Sequence, residues 1–188
     1  MSNLILASQS PRRKDLLQQI QLSFSVISST VDETFSSDLL PHEVVMYLAQ
    51  KKAKEIASQH PSHFVIGSDT VVTKDGQILG KPESEQEAKD MLMMLSGSTH
   101  SVYTGVAIIR GDEEKLFYEK TDVTFWELTP QEIDGYIASG EPFDKAGSYG
   151  IQGIGAKFVK EIKGDYYSVV GLPISRVNRV LIEMGYLP

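Results

Sequence analysis

The sequence predicts a mixed α/β fold, and three observations predict it. Short apolar runs of strand length alternate with segments of helical periodicity along the chain. Two tight turns, Lys74-Asp75-Gly76-Gln77 and Gly111 to Glu114, each join a pair of apolar runs, which places antiparallel strands beside one another. The first apolar run, Leu4-Ile5-Leu6, passes through a polar turn straight into a helix.

Length and composition bound what this fold can be. At 188 residues the chain suits one sizeable core, or one core with a lobe, so a single domain over 1–188 is expected. Hydrophobic residues make up 41% and charged residues 23%, without low-complexity runs, which predicts order nearly end to end. A net charge of -7 argues against broad nucleic-acid binding, because that needs a basic face to displace counterions. The absence of cysteine excludes disulfides, cysteine-ligated zinc and thiol catalysis. No stretch approaches the roughly 20 apolar residues of a membrane span, and no charged leader precedes an apolar segment, so no membrane partner and a cytoplasmic location are expected.

The turn Ala7-Ser8-Gln9-Ser10-Pro11 ends the first strand, with Ser10 placed as an N-cap and Pro11 at the first helical position. Arg12, Arg13 and Lys14 then put three cations where the helix end already carries partial positive charge. A bound phosphate, held by free N-H groups, serine hydroxyls and a bidentate Arg, would offset them; the alternative is that the cations point into water. The stretch 23–28 alternates as a strand, and Glu33 follows just past its end, a common place for a functional carboxylate and equally for a solvated acidic loop.

The next helix runs from Pro41 to about Ser58. Val45, Leu48, Ala49, Ala53 and Ile56 form its apolar stripe, with Lys51, Lys54 and Glu55 on other faces. Lys52 falls inside the stripe, where an ammonium needs a carboxylate, a ligand or a wet cleft unless it snorkels to the edge. His63 to Val72 reads as a buried strand interrupted by Gly67-Ser68-Asp69-Thr70. An Asp between apolar triplets must be hydrogen-bonded, paired or metal-bound, and Gly67 would allow a bend or a close approach. The Asp75-Gly76 hairpin returns the chain to Gly80-Lys81-Pro82, which brings a second lysine near the Asp69 strand.

Ser84 to Glu87 is a capping-box pattern opening a helix through Met91, Leu92 and Leu95, with Met91, Met93 and Met94 read as core filler. Two longer strands follow, Val102 to Arg110 and Lys115 to Leu128, with Trp126 expected in a core or an interface. Thr129-Pro130-Gln131-Glu132 is a second capping box. The segment 140–155 holds five of the chain's 15 glycines and suits a ligand-facing loop, in which Gln152 offers both a donor and an acceptor to a base or amide edge. It lacks the lysine and context of a P-loop. Phe158 to Ile162 and Tyr166 to Val170 read as strands, and Pro173 opens a last helix.

Glu33, Asp69, Lys52, Lys81 and the Ser8, Arg12, Arg13 turn share one chemical meaning. Carboxylates hold a hard divalent cation, most simply Mg2+, while lysines and arginines balance phosphate charge. Such a site suits attack of water on a polyphosphate, with Asp69 either ligating the metal or taking the water's proton.

Taken together, Ser8-Gln9-Ser10-Pro11-Arg12-Arg13, Gly67-Ser68-Asp69-Thr70, Gly80-Lys81-Pro82, Leu95-Ser96-Gly97, Asp144-Lys145-Ala146-Gly147 and Tyr149-Gly150-Ile151-Gln152-Gly153 resemble the Maf family of nucleoside triphosphate pyrophosphatases, also called septum-formation inhibitors. The match runs in order along essentially the whole chain. The resemblance implies an elongated, twisted mixed sheet flanked by helices, two lobes with a deep cleft, like inosine triphosphate pyrophosphatase. It further implies a nucleoside triphosphate substrate cut between the α and β phosphates, a divalent cation (Mg2+ or Mn2+), and a homodimer. By resemblance Asp69 is the proton acceptor, Glu33 and Asp69 line the metal site, and Ser8, Arg12, Arg13, Lys52 and Lys81 contact phosphates. Arg12, Thr70 and Gln152 resemble the branch acting on dTTP and UTP rather than the branch preferring 7-methyl-GTP. The alternative, suggested by the family's other name, is a non-catalytic division regulator that binds nucleotide, nucleic acid or a protein partner.

Overall fold

The computed structural model describes residues 3–187, so the extreme ends of the expected 1–188 domain lie outside the described residues. Its strands are β1 (Leu4–Leu6), β2 (Ser25–Val26), β3 (Phe64–Lys74), β4 (Gln77–Leu79), β5 (Thr99–Arg110), β6 (Glu113–Phe125) and β7 (Val159–Lys163). The helices are α1 (Pro11–Gln19), α2 (Pro41–Ala57), α3 (Glu85–Leu95), α4 (Pro130–Ala138), α5 (Tyr166–Val170) and α6 (Ile174–Glu183). The strands form one mixed sheet in the order β2-β1-β3-β5-β6-β7, with β4 paired to β3. Strand β1 runs parallel to both β2 and β3, whereas β4 is antiparallel to β3 and β7 to β6. The expected α/β class, a mixed sheet flanked by helices, is therefore the observed one. None of the described helices is long and apolar enough to cross a membrane.

By packing, the chain divides into two compact units. The first comprises Met1–Asp69, Thr104–Glu119 and Gly171–Pro188; the second comprises Thr70–Tyr103 and Lys120–Val170. Strands β3, β5 and β6 contribute residues to both.

In the first unit β1 is buried at every position, as a strand with parallel neighbours on both sides requires. Helix α2 buries Val44, Val45, Leu48, Ala49, Ala53, Ile56 and Ala57, the predicted stripe widened by one residue on each side. Its alanines pack with Ile5, Val65, Ala107 and Ile109 in one cluster. Three local expectations change here. The strand expected over 23–28 shrinks to the exposed pair Ser25–Val26, and Ser10 occupies the N-cap of α1 without a side-chain capping bond. Strand β3 is not interrupted at Gly67-Ser68-Asp69-Thr70 but runs eleven residues through them. Gly67 serves close packing of β3 on α2 rather than a bend.

In the second unit the Asp75-Gly76 turn has both residues at positive φ (50° and 81°), the geometry that matches strand twist in a two-residue hairpin. Thr129 and Glu132 close the reciprocal capping box expected for α4. At α3 the box is half formed: Ser84 Oγ accepts from the Glu87 N-H, but the Glu87 carboxylate accepts from the Glu83 N-H. Of the three methionines only Met91 is core; Met93 and Met94 are exposed, and so is Trp126, whose ring lies under the Lys160 ammonium. The strand expected at Tyr166 to Val170 is the helical turn α5. Asp165 decides it, since its carboxylate accepts from the Tyr167 N-H and its carbonyl from the Ser168 hydroxyl, an N-terminal cap that overrides the β propensity of Tyr and Val.

The second core is aromatic. Phe125, Tyr149 and His100 meet edge to face, with centroids 4.7 Å (Phe125 and Tyr149) and 4.9 Å (His100 and Phe125) apart. His100 Nε2 shares a hydrogen bond of 2.7 Å with the Tyr149 hydroxyl, and its buried Nδ1 has no partner. Burial, reinforced by the nearby Lys74 charge, lowers the His100 pKa from 6.5 to about 4. The folded protein thus keeps His100 neutral while the unfolded chain protonates it, so stability is full above pH 6.5 and falls as the pH drops toward 4. The loss expected from this group is roughly 3 kcal/mol. Denaturant melts at pH 7 and pH 4.5 check it: His100→Gln, which keeps a hydrogen-bonding group for Tyr149, should narrow the difference between the two.

Candidate active site

The inward lysine on α2 finds its partners. Lys52 Nζ lies 2.6 Å from Asp69 Oδ1 and 2.8 Å from Glu33 Oε1. Lys52 and Asp69 are both buried, whereas the Glu33 side chain is 57% exposed, so the cluster opens to solvent on the Glu33 side. Lys52 sits in the apolar stripe because the flanking Ala49 and Ala53 are small enough to let α2 lie against β3, from which Asp69 projects. Asp69 Oδ2 makes no hydrogen bond among the described residues.

The phosphate-type turn belongs to the same unit. Ser8 is buried, and its Oγ accepts from the Ser10 N-H (3.2 Å) and from Arg13 Nη1 (3.3 Å). Arg13 Nε donates to the Gly171 carbonyl at 2.8 Å, and the Ser68 hydroxyl donates to the same carbonyl at 3.1 Å. Arg13 thereby fastens α1 to the start of the C-terminal segment. Its pKa is lowered by burial, opposed by the attraction of Asp69, lowered again by neighbouring Arg12 and opposed by Glu33. That mutual influence places Arg12, Arg13, Glu33 and Asp69 within one electrostatic neighbourhood. Six of the expected residues, Ser8, Arg12, Arg13, Glu33, Lys52 and Asp69, therefore gather in the first unit.

Thr70, Lys81 and Gln152 belong to the second unit. Thr70 follows Asp69 directly in β3 and is half-buried. Lys81 is exposed just past β4, where the Gly80 carbonyl accepts from the Gly147 N-H at 3.0 Å. Gln152 is exposed, and its side-chain amide makes no hydrogen bond among the described residues.

Sequence reasoning missed how Glu33 is held. Lys51 Nζ donates to the Asp32 carbonyl at 2.6 Å, and the Glu55 carboxylate accepts from the Ser29 hydroxyl (2.6 Å), the Thr30 N-H (2.9 Å) and the Thr30 hydroxyl (2.8 Å). Those bonds, Ser29's first, hold the Glu55 carboxyl below its ordinary range. Residues assigned to solvent faces of α2 thus grip the loop on either side of Lys52. The signal available was the i, i+4 spacing of Lys51 and Glu55, which puts both side chains on one face of the helix.

A divalent cation fits these residues within limits. Glu33 and Asp69 converge on one cation already, the Lys52 ammonium, so the pocket selects positive charge. No group of three or more His, Cys, Asp or Glu side chains is placed to hold a metal among the described residues. Two carboxylates with the remaining positions left to water and phosphate oxygens is the donor set Mg2+ takes in phosphoryl-transfer sites.

Comparison with known proteins places the chain in a family. Residues 3–184 match the family model described as Maf-like protein. A protein named dTTP/UTP pyrophosphatase from Bacillus cereus (strain AH187) is 59% identical over 185 residues, covering 98% of this chain and 97% of that protein. One of the same name from Bacillus anthracis (strain CDC 684 / NRRL 3495) is 58% identical over 185 residues, with the same coverage. Among solved structures, the Staphylococcus aureus Ham1 protein aligns over 65% of this chain and 71% of its own, at 17% identity and a TM-score of 0.46. With the family model spanning nearly the whole chain and relatives this similar along their full length, the chain belongs to the Maf-like protein family.

Proposed function

We propose that the chain hydrolyses dTTP and UTP at the anhydride between the α and β phosphates, releasing the nucleoside monophosphate and pyrophosphate. The observation that carries this reading is the buried Lys52 held between Asp69 and Glu33, with the Arg12 and Arg13 charges in the same electrostatic neighbourhood. The similarity to 59% identical relatives named dTTP/UTP pyrophosphatase supports the substrate class. Lys52 uses two of its three donors on carboxylates and keeps one for a phosphate oxygen. Ser8, Arg12 and Arg13 bind and orient the triphosphate, so that the charge developing on the leaving pyrophosphate meets fixed cations. Asp69 takes the proton of the attacking water on Oδ2, while its Oδ1 is held in place by Lys52. Glu33 and Asp69 would hold Mg2+ or Mn2+, which when bound neutralises phosphate charge. Gln152, with Thr70, reads the base: the imide edge of thymine or uracil offers adjacent acceptor and donor groups that a primary amide matches with two hydrogen bonds.

Product analysis tests the reading. The protein is incubated with dTTP, UTP, 7-methyl-GTP and ATP plus Mg2+ or Mn2+, and pyrophosphate and orthophosphate are assayed separately. Pyrophosphate from dTTP and UTP, abolished by chelating the metal, is the expected outcome. Orthophosphate instead would indicate a general phosphatase, and no turnover of any nucleotide would leave a non-catalytic, nucleotide-binding division regulator as the better account.

A further inference from the structure

Gln152 has an exposed amide without a hydrogen-bond partner among the described residues, yet the chain on both sides of it is fastened. The Glu141 carboxylate accepts from the Ile154 N-H at 2.9 Å and the Gly155 N-H at 3.2 Å. The Tyr136 hydroxyl donates to Glu141 Oε1 at 3.0 Å and accepts from the Gly150 N-H at 3.1 Å. Residues 150, 154 and 155 are therefore tied to one Tyr136-Glu141 pair, and Gln152 stands at the middle of the span. The fit leaves no room for a side chain at Gly155, where a Cβ would collide with the Gly150 carbonyl and lie 2.9 Å from the Tyr136 hydroxyl, and Gly153 takes a φ of 70° that favours glycine. The pair is itself anchored, since Tyr136 is fully buried and packs edge to face on Phe158 at 4.9 Å. Lys145 Nζ donates to the Glu141 carbonyl at 2.6 Å and to Asp144 at 2.6 Å.

The charge states suit this arrangement. Burial pushes the Glu141 carboxyl up, but the Ile154 and Gly155 N-H groups and the Tyr136 hydroxyl outweigh it and hold the group below its ordinary range. Burial raises the Tyr136 phenol, which stays protonated and able to donate. A floppy glycine-rich loop would have to be ordered each time substrate binds, at a cost in conformational entropy. Fastening the loop beforehand removes that cost and leaves the single free amide as its reading group.

We infer that Glu141, acting with Tyr136, is the positioning residue that gives Gln152 its discrimination between bases. This rests on the reading of Gln152 as the base-contacting residue. The experiment compares kcat and KM for dTTP, UTP, CTP and GTP in the full chain carrying Glu141→Gln, Tyr136→Phe, Gln152→Ala and the double change Glu141→Gln with Gln152→Ala. Glu141→Gln should reduce the preference for dTTP and UTP over CTP and GTP by about tenfold, chiefly through KM, the scale of one lost positioned contact. The double variant should be no less selective than Gln152→Ala alone. Tyr136→Phe keeps the buried ring and removes only the bridging hydroxyl, so it tests the same point should Glu141→Gln fold poorly. A uniform loss across all four nucleotides, or additive effects in the double variant, would overturn the inference and leave Glu141 a structural residue. Should Gln152→Ala leave the preference of an active enzyme untouched, the reading of Gln152 fails and this inference with it. A loss of preference in Gln152→Ala but not in Glu141→Gln or Tyr136→Phe removes this inference alone.

Discussion

Asp69→Asn is expected to reduce pyrophosphate release from dTTP and UTP by about a thousandfold or more, while the protein stays folded and still binds nucleotide. The substitution keeps the shape of the side chain and an oxygen for the Lys52 ammonium, which lies 2.6 Å from Oδ1. It removes the charge and the basic oxygen, and so both the proton acceptor and one of two carboxylates facing a cation. Glu33 remains at 2.8 Å from Lys52, so the buried ammonium is not left unpaired. Lys52→Met separates the two sides of the cluster: it leaves Asp69 buried without its partner, and should lower both activity and melting temperature. Steady-state pyrophosphate assays alongside thermal melts check both. An Asp69→Asn protein with full hydrolytic activity would remove the assigned mechanism, and one that is merely unfolded would be exposed by its melt.

Why these residues could be found from sequence and others could not follows from the range of the interactions. Lys52 announces itself because a charged residue interrupts an apolar stripe of period 3.6, a pattern contained within one helix. Asp69 is legible for the same reason within one strand. The continuity of β3 through Gly67-Ser68-Asp69-Thr70 was hidden, because the partners that satisfy those polar side chains are remote in sequence: Gly171 for Ser68 and Lys52 for Asp69. Tyr166 to Val170 has strand composition, and the Asp165 cap that makes it helical is fixed by Thr121, more than forty residues away, whose hydroxyl accepts from the Asp165 N-H. Met93, Met94 and Trp126 show a different limit, since hydrophobicity states what a residue tolerates and not which face of its element is covered. Glu55 and Glu141 carry no motif at all: each is an ordinary carboxylate whose role lies in the backbone N-H groups it accepts from.

Gly105→Ala and Gly67→Ala are expected to destabilise the fold by about 3 kcal/mol or more each, with loss of activity exceeding what the fraction unfolded explains. Both glycines press against α2. A Cβ at Gly67 would collide with the Ala49 carbonyl and lie 2.8 Å from the Ala53 nitrogen; one at Gly105 would collide with the Val45 carbonyl and lie 2.7 Å from the Met46 nitrogen. The obstacles are helix backbone, not the ends of flexible side chains, so relief requires α2 to lift away from β3 and β5. Val45, Ala49 and Ala53 recur every fourth residue, so the two glycines and the small side chains of α2 make one line of close approach. Lys52 lies beside that line, and its hold on Asp69 depends on the distance that the glycines set. A shift of α2 by even 1 Å therefore stretches the Lys52 to Asp69 contact before it unfolds the protein, and misplacements of that size cost about a hundredfold in rate. Urea unfolding at neutral pH gives the stability change, and activity measured well below the unfolding transition separates the two effects. A fully active, fully stable Gly67→Ala protein would mean that α2 tolerates a wider spacing and that Lys52 reaches Asp69 without it.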